Sequence, residues 1–415
     1  MTDGTELIVP TAYFPAGPPH ELFTRLRRES PVHRCAPPEY TPFWAITRHA
    51  DICSISKQPD LFLNAPGIVS VTHDQQRQRE SGEGLGMMRI IIEMDPPEHR
   101  SYRKLASPWF TPRAVQRMND AVETSARELV DRLAQGGREG ICDFATDIAT
   151  AHPLRILSTI LGVPREAEPA ILRLTNELFG SDDPELQREG EDREAAVREL
   201  GLELYQLFDE IIKDRRQTPR DDLASLLANG LVDGEAMGPM ETFGYYLITF
   251  TAGHDTTKNA LAGGMRAFAE HPEQFAKLGR DPEIVNDAVE EIVRWTTPVN
   301  YMKRTAACDT QVGAQPIREG DELVLFYASA NRDEAVFEDP FSFRIDRRPN
   351  PHLGFGIGEH FCLGANLARV SQRAFWREFA TRVEAIELVG EPEQIASSFV
   401  VGLKHLPIRY RFRRS

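Results

Sequence analysis

Apolar residues recur at helical spacing through the middle of the chain, whereas short segments nearer its two ends alternate apolar with polar. Ala114–Leu133, Ala149–Leu161, Glu191–Ile212, Pro239–Glu270 and Glu283–Trp295 each place their apolar residues on one side of a helix of period near 3.6, so five helices are predicted there. Alternation over Phe43-Trp44-Ala45-Ile46-Thr47 predicts a strand in a β-rich N-terminal part covering about residues 1–70. Thr310–Val312, Leu323–Tyr327 and Phe399–Phe412 read as further strands, and one more helix runs from Cys362 to about Ala380. Gly180-Ser181-Asp182-Asp183-Pro184 breaks the helical pattern, and the acidic stretch after it, Glu185–Arg198, reads as a solvated helical face. A Pro-, Arg- and Asn-rich connection spans Asp339 to Pro351. With no repeat and no interdomain linker, the expectation is a single large domain over residues 1–415, mainly α with small β-sheets.

Composition leaves that picture intact. Hydrophobic residues at 41% and charged residues at 27% allow a large core. A formal net charge of -15 argues against a nucleic-acid partner, which usually meets a basic stripe. The opening Met1 to Thr11 has neither a basic leader nor a long apolar run, and nowhere do about 18 apolar residues follow one another, so no membrane anchor and a cytoplasmic location are expected. The five cysteines Cys35, Cys53, Cys142, Cys308 and Cys362 lack the spacing of a zinc site or a disulfide framework.

One of those cysteines stands apart. Phe355-Gly356-Ile357-Gly358-Glu359-His360-Phe361-Cys362-Leu363-Gly364 is a glycine-punctuated loop running straight into a helical pattern. A cysteine at a helix start faces the positive end of the dipole and unpaired N–H groups, which favour a thiolate, while the glycines permit a tight turn and close approach to something flat. Taken alone, Cys362 reads equally well as a small buried hydrophobe.

Three other constellations accompany it. Glu291 and Arg294 stand at i and i+3 on one helical face, where they can pair. His99 and Arg103, four apart, follow Asp95-Pro96-Pro97, a good helix start. Phe250-Thr251-Ala252-Gly253-His254-Asp255-Thr256-Thr257 puts poor helix formers in the middle of a long helix. The Thr256 hydroxyl can bond back to the Ala252 carbonyl and open a local bulge there, and Asp255 is the carboxylate available for proton transfer. His254 is expected to point into the structure.

The loop fits F-G-x-G-x-H-x-C-x-G at every fixed position, and with it the chain resembles the cytochrome P-450 family, in particular bacterial members acting on terpenes, aromatic hydrocarbons or steroids. The resemblance covers essentially the whole chain, and D-P-P-x-H-x-x-x-R, A-G-x-D-T-T and E-x-x-R follow in the family's order. It implies the P-450 fold, haem b as cofactor and Cys362 as the sulfur ligand of its iron. Phe355 would pack beside that sulfur, N–H groups near Leu363 and Gly364 would tune it, and Gly356 and Gly364 would shape residues 355–364 as the haem loop. His99, Arg103, Arg304 and His360 would contact the haem propionates, with Lys303 as a rival to Arg304. Thr256, with Ala252 beneath it, would steady dioxygen while Asp255 relays protons, and Glu291–Arg294 would lock the core. Leu85, Met87, Met88, Tyr245, Ile248, Thr249, Val299, Tyr301, Phe399 and Val400 are the substrate-pocket candidates.

The implied activity is hydroxylation of an apolar small molecule with O2. With no flavin or nicotinamide domain in the sequence, electrons would come from a separate ferredoxin and its reductase, received on a basic face of Arg100, Lys104, Arg113, Arg369 and Arg373. A peroxide-driven peroxygenase and a non-catalytic haem-binding sensor are the alternatives; the Asp255-Thr256 pair speaks against the first.

Overall fold

Helical periodicity in the middle of the sequence becomes a bundle built around one long helix. The computed structural model describes residues 2–14, 16–81, 90–180, 183–186 and 193–414. The principal helices are α1 (Glu98–Ala106), α2 (Asn119–Ala134), α3 (Ala151–Leu161), α4 (Glu168–Phe179), α5 (Arg193–Gln217), α6 (Pro239–Glu270), α7 (Val285–Thr296) and α8 (Ala365–Arg382). At 32 residues α6 is about 48 Å long. Toward its C-terminal end Leu261, Met265 and Phe268 join Trp376 and Phe379 of α8 and Ile292 of α7 in one apolar cluster. Toward its N-terminal end Phe243, Tyr246 and Phe250 join Leu157 of α3 and Leu204 and Phe208 of α5 in a second. A single element thus belongs to two cores, which fixes its middle turns rigidly in place.

The first seventy residues, expected to be β-rich, mix helices at Thr5–Ile8, His20–Glu29 and His49–Ser56 with three short strands. Those strands are β1 (Val32–Cys35), β2 (Phe43–Ile46) and β3 (Phe62–Leu63). Their sheet is completed by β5 (Tyr301–Ala306) and β6 (Glu322–Phe326), in the order β1-β2-β6-β5-β3. β2 pairs antiparallel with β1 and parallel with β6, with Trp44 opposite Leu323. A second sheet runs β7 (Val383–Leu388), β10 (Pro407–Phe412), β4 (Glu139–Asp143), all antiparallel. A smaller hairpin joins β8 (Glu393–Gln394) to β9 (Leu403–His405).

Several boundaries move for local reasons. The helix expected over Ala114–Leu133 begins at Asn119, because Thr111 caps a separate short turn over Pro112–Val115 by accepting from the Ala114 N–H at 3.3 Å. Residues 145–149 form a π-helical turn: both the N–H and the hydroxyl of Thr150 reach back to the Ala145 carbonyl, at 3.1 and 2.9 Å. The last long helix starts at Ala365 rather than Cys362. No helix among the described residues is long and apolar enough to cross a membrane.

Candidate active site

The cysteine loop is closed on itself by the Cys362 N–H, which donates to the Phe355 carbonyl at 2.8 Å. This bond is why α8 begins three residues later than its sequence pattern suggests. Gly356 and Gly358 have φ of +66° and +80°, in the left-handed region. At Gly358 the requirement is double, since a Cβ there would stand 2.2 Å from the carbonyl oxygen of Ser56. Burial pushes the Cys362 thiol above its ordinary range, opposed by hydrogen bonds from the Gly364 and Ala365 N–H groups and by the charges of Arg103 and Arg369. The amides facing the sulfur are those of Gly364 and Ala365, in the stretch around Leu363 and Gly364. A thiol drawn both ways is one that a bound cation converts to thiolate.

The base of the loop is pinned by a cluster that the sequence did not disclose. Arg369 lies over the Phe355 ring at 4.4 Å and grips Glu290 with two bonds of 2.6 and 2.8 Å, while His352 adds a third at 3.0 Å. Burial pushes the Glu290 carboxyl up, but Arg369 and His352 outweigh it and hold the group at about 2.

Beside the loop, basic groups gather without enough acid to match them. His99 and His360 have ring centroids 4.0 Å apart, and one buried nitrogen of each, Nδ1 of His99 and Nε2 of His360, has no hydrogen-bond partner. Arg103 donates to the Phe361 carbonyl at 2.6 Å, and Arg304, buried, donates to the Lys303 carbonyl at 2.8 Å. Burial, then the proximity of His99, Arg304 and Arg103, pushes His360 down to about 2. Burial also lowers His99, helped by Arg103 and opposed by Glu359, which lies 3.6 Å away. Lys303 points to the opposite side of β5 and bonds Glu322 at 2.5 Å, as alternation along a strand requires, so Arg304 is the member that joins the histidines.

On α6 the polar residues are accommodated without breaking the helix. Thr256 donates to the Ala252 carbonyl at 2.7 Å, Thr249 to Tyr245 at 2.7 Å and Thr251 to Leu247 at 2.8 Å. The expected bond of Thr256 is present, but the expected bulge is not: the segment stays α-helical throughout. Back-bonding satisfies the hydroxyl while the two cores on either side hold the backbone. Ala252 is exposed and Thr256 half-buried, although both sit in the middle of a core helix, so this face borders open space. Gly253 serves packing instead, its Cβ position being 3.0 Å from Leu157 of α3. Asp255 and His254 are buried, and His254 points into the structure as expected.

Glu291 and Arg294 are both fully buried and pair through bonds of 2.7 and 2.8 Å. Glu291 also accepts from Arg347 and from the Arg344 N–H, and Arg294 donates to the carbonyls of Asn331, Pro340 and Ser342. This network ties α7 to the irregular Asp339–Pro351 connection.

The pocket candidates divide. Ile248, Thr249, Val299 and Phe399 are half-buried. Tyr245 is a core residue, its hydroxyl donating to the Tyr102 carbonyl at 3.1 Å, and Tyr301 is buried between Phe326 and Phe399. Aromatic rings at helical and strand spacing here serve packing. Val400 lines a small cavity beside Asp255. Leu85, Met87 and Met88 lie outside the described residues. Of the basic face, Arg100 pairs with Glu359, Arg369 with Glu290, and Arg373 with Asn286, leaving Lys104 and Arg113 directed to solvent.

Comparison with known proteins shows the family. The model of the cytochrome P-450 family matches residues 43–380. The chain belongs to that family. It is 39% identical over 414 residues to cytochrome P-450-terp of Pseudomonas sp, covering 97% of this chain and 96% of that one. A steroid C26-monooxygenase of Rhodococcus jostii (strain RHA1) is 36% identical over 402 residues, covering 95% of this chain and 82% of that one. Among solved structures, the crystal structure of CYP108D1 from Novosphingobium aromaticivorans superposes with a TM-score of 0.90 at 37% identity, over 99% of this chain and 98% of that one. As a cytochrome P-450 it is a haem-thiolate monooxygenase. The residues present fit that cofactor: a half-buried thiol facing two amides, basic side chains short of carboxylate partners, and a helix face left uncovered at Ala252 and Thr256.

Proposed function

We propose that this cytochrome P-450 hydroxylates an apolar small molecule of terpenoid, steroid, or aromatic or alkyl hydrocarbon character, using dioxygen and electrons from a separate ferredoxin and ferredoxin reductase, in the cytoplasm. The observation that carries the reading is the group of basic side chains around His99 and His360, which wants carboxylates beside a half-buried thiol. Cys362 is the metal ligand, with Phe355 packed beside it and Gly356 and Gly364 shaping its loop. His99, Arg103, Arg304 and His360 receive the two propionates, arginine being suited by its planar fork.

Bound haem supplies the redox chemistry, in which two electrons and two protons split dioxygen, one oxygen atom entering a C–H bond of the substrate and the other leaving as water. The protein's own contributions are binding, orientation and proton handling. Thr256, its hydroxyl hydrogen held by the Ala252 carbonyl, keeps its oxygen lone pairs free to accept from a proton donor on the open side of α6. Asp255, one residue earlier and buried, is the carboxylate that gives and takes the proton, a role worth about 10²–10⁴-fold in rate. Ile248, Thr249, Val299 and Phe399, with the candidates at Leu85, Met87 and Met88, orient the substrate and exclude water. Lys104 and Arg113, both exposed, attract an acidic ferredoxin, an effect on association rate above all.

The test is turnover with defined components. Product formation with ferredoxin, reductase and oxygen, and none at comparable rate with peroxide alone, is the expected result. Peroxide-only turnover at that rate would make the protein a peroxygenase, and no turnover under either condition a haem-binding sensor.

A further inference from the structure

His254 is fully buried, with its ring stacked on Phe250 at a centroid distance of 5.9 Å and an angle of 15°. Its Nε2 lies 3.2 Å from the Thr150 carbonyl oxygen. A carbonyl only accepts, so Nε2 carries the ring hydrogen. In a neutral ring Nδ1 is then a bare lone pair, and it faces Asp255 Oδ2 at 3.4 Å. Neither atom has a hydrogen-bond partner, and both are buried. Two acceptors turned toward each other out of reach of water are mutually destabilising, and one added proton removes the conflict. Both ring nitrogens face oxygen acceptors, Nε2 the Thr150 carbonyl and Nδ1 the Asp255 carboxylate, so the ring satisfies both only when each nitrogen carries a hydrogen.

We infer that His254 is a positioning residue with both ring nitrogens protonated, whose Nδ1–H donates to the Asp255 carboxylate and fixes its orientation. The inference rests on the reading of Asp255 as the proton relay. The surroundings agree with a carboxylate set between donors. Asp255 also lines a cavity of about 10 Å3 together with Asn176, Lys258 and Asn259, about the size of one water molecule. Both amide atoms of Asn259 are buried without partners, and the Lys258 side chain is buried as well, three residues along the same helix. Facing His254 itself are Phe250 and Asp255 from its own helix and a carbonyl from the segment carrying Thr150. With one edge of the carboxylate pinned by His254, its remaining lone pairs accept a proton from water in the cavity and pass it toward Thr256. His254 keeps its own proton throughout.

The experiment is nitrogen-15 NMR of the holoenzyme labelled at histidine, in its diamagnetic ferrous carbonyl form at pH 7. The His254 signals are assigned by their loss in His254→Asn, or in His254→Gln should the first variant not fold. Two protonated ring nitrogens in the wild type, one of which loses its proton in Asp255→Asn, are expected, with product turnover falling about 10–100-fold in His254→Asn. One bare ring nitrogen in the wild type overturns the inference, whatever Asp255→Asn does to turnover. A doubly protonated ring together with unchanged turnover in Asp255→Asn overturns the relay reading and with it the role given to His254, leaving only the ion pair.

Discussion

His99 and His360 stand ring against ring, 4.0 Å between centroids; the buried Nε2 of His360 has no hydrogen-bond partner, and Nδ1 of His99 has only Glu359, 3.6 Å away. The arrangement is costly for the protein alone and suits a pair of entering carboxylates, each of which accepts from several donors. A hydrogen bond to a charged group contributes about 1.5–3 kcal/mol. His360→Ala and Arg304→Ala should therefore each weaken haem retention about 10–100-fold, read as the rate of haem transfer to a competing acceptor protein. Retention equal to wild type in both would mean that the propionates are held elsewhere.

Glu291 sits at the centre of a buried charge network, accepting from Arg294, Arg347 and the Arg344 N–H. Removing its charge leaves two buried guanidinium groups short of a partner. Glu291→Gln is expected to lower stability by about 3–5 kcal/mol in denaturant unfolding. A loss below about 1 kcal/mol would make the pair no more than a surface salt bridge in weight.

Glu290 gives a pH signature. Its carboxyl is held at about 2 in the folded protein against an ordinary value near 4.3, so its pairing stabilises the fold fully above about pH 5. That contribution declines as pH falls from there through about 2, where the folded form protonates. The stability difference between wild type and Glu290→Gln should be constant from neutral pH down to about 5 and shrink below it. A difference that grows on acidification would contradict the assignment.

Much of the site was legible because its residue types are costly anywhere else. Three threonines and a glycine within a long helical pattern, and a cysteine among glycines, each break a local rule, and such breaks concentrate where chemistry is done. The bond from Thr256 to Ala252 follows from spacing alone. What the sequence hid depends on contacts between distant segments. Glu290, next to the expected Glu291, pairs instead with Arg369 and His352 under the cysteine loop, and no local pattern distinguishes two adjacent glutamates. The π-turn at Ala145–Ala149 goes with the N–H and hydroxyl bonds of Thr150 to the Ala145 carbonyl, and the delayed start of α8 with the backbone bond to Phe355. Tyr245 and Tyr301 carry apolar periodicity that pocket and core residues share, and only packing separates the two.

Thr256 and Asp255 differ in what their loss should do. Thr256→Ala removes the hydroxyl and is expected to divert reducing equivalents to peroxide while electrons are still consumed. Asp255→Asn removes the carboxylate that moves the proton and should slow turnover about 100-fold or more. Measuring product, peroxide and consumed electrons together separates the two, and coupling unchanged in Thr256→Ala would mean that another group handles the protons.

Cys362 as the sulfur ligand of the haem iron is the claim on which the rest depends. Iron K-edge X-ray absorption of the reconstituted protein counts the sulfur atoms bound to iron directly. One sulfur neighbour in the wild type, replaced by oxygen or nitrogen in Cys362→Ser, is the result predicted. A wild-type iron with only nitrogen and oxygen neighbours, or a sulfur neighbour that survives in Cys362→Ser, would contradict it.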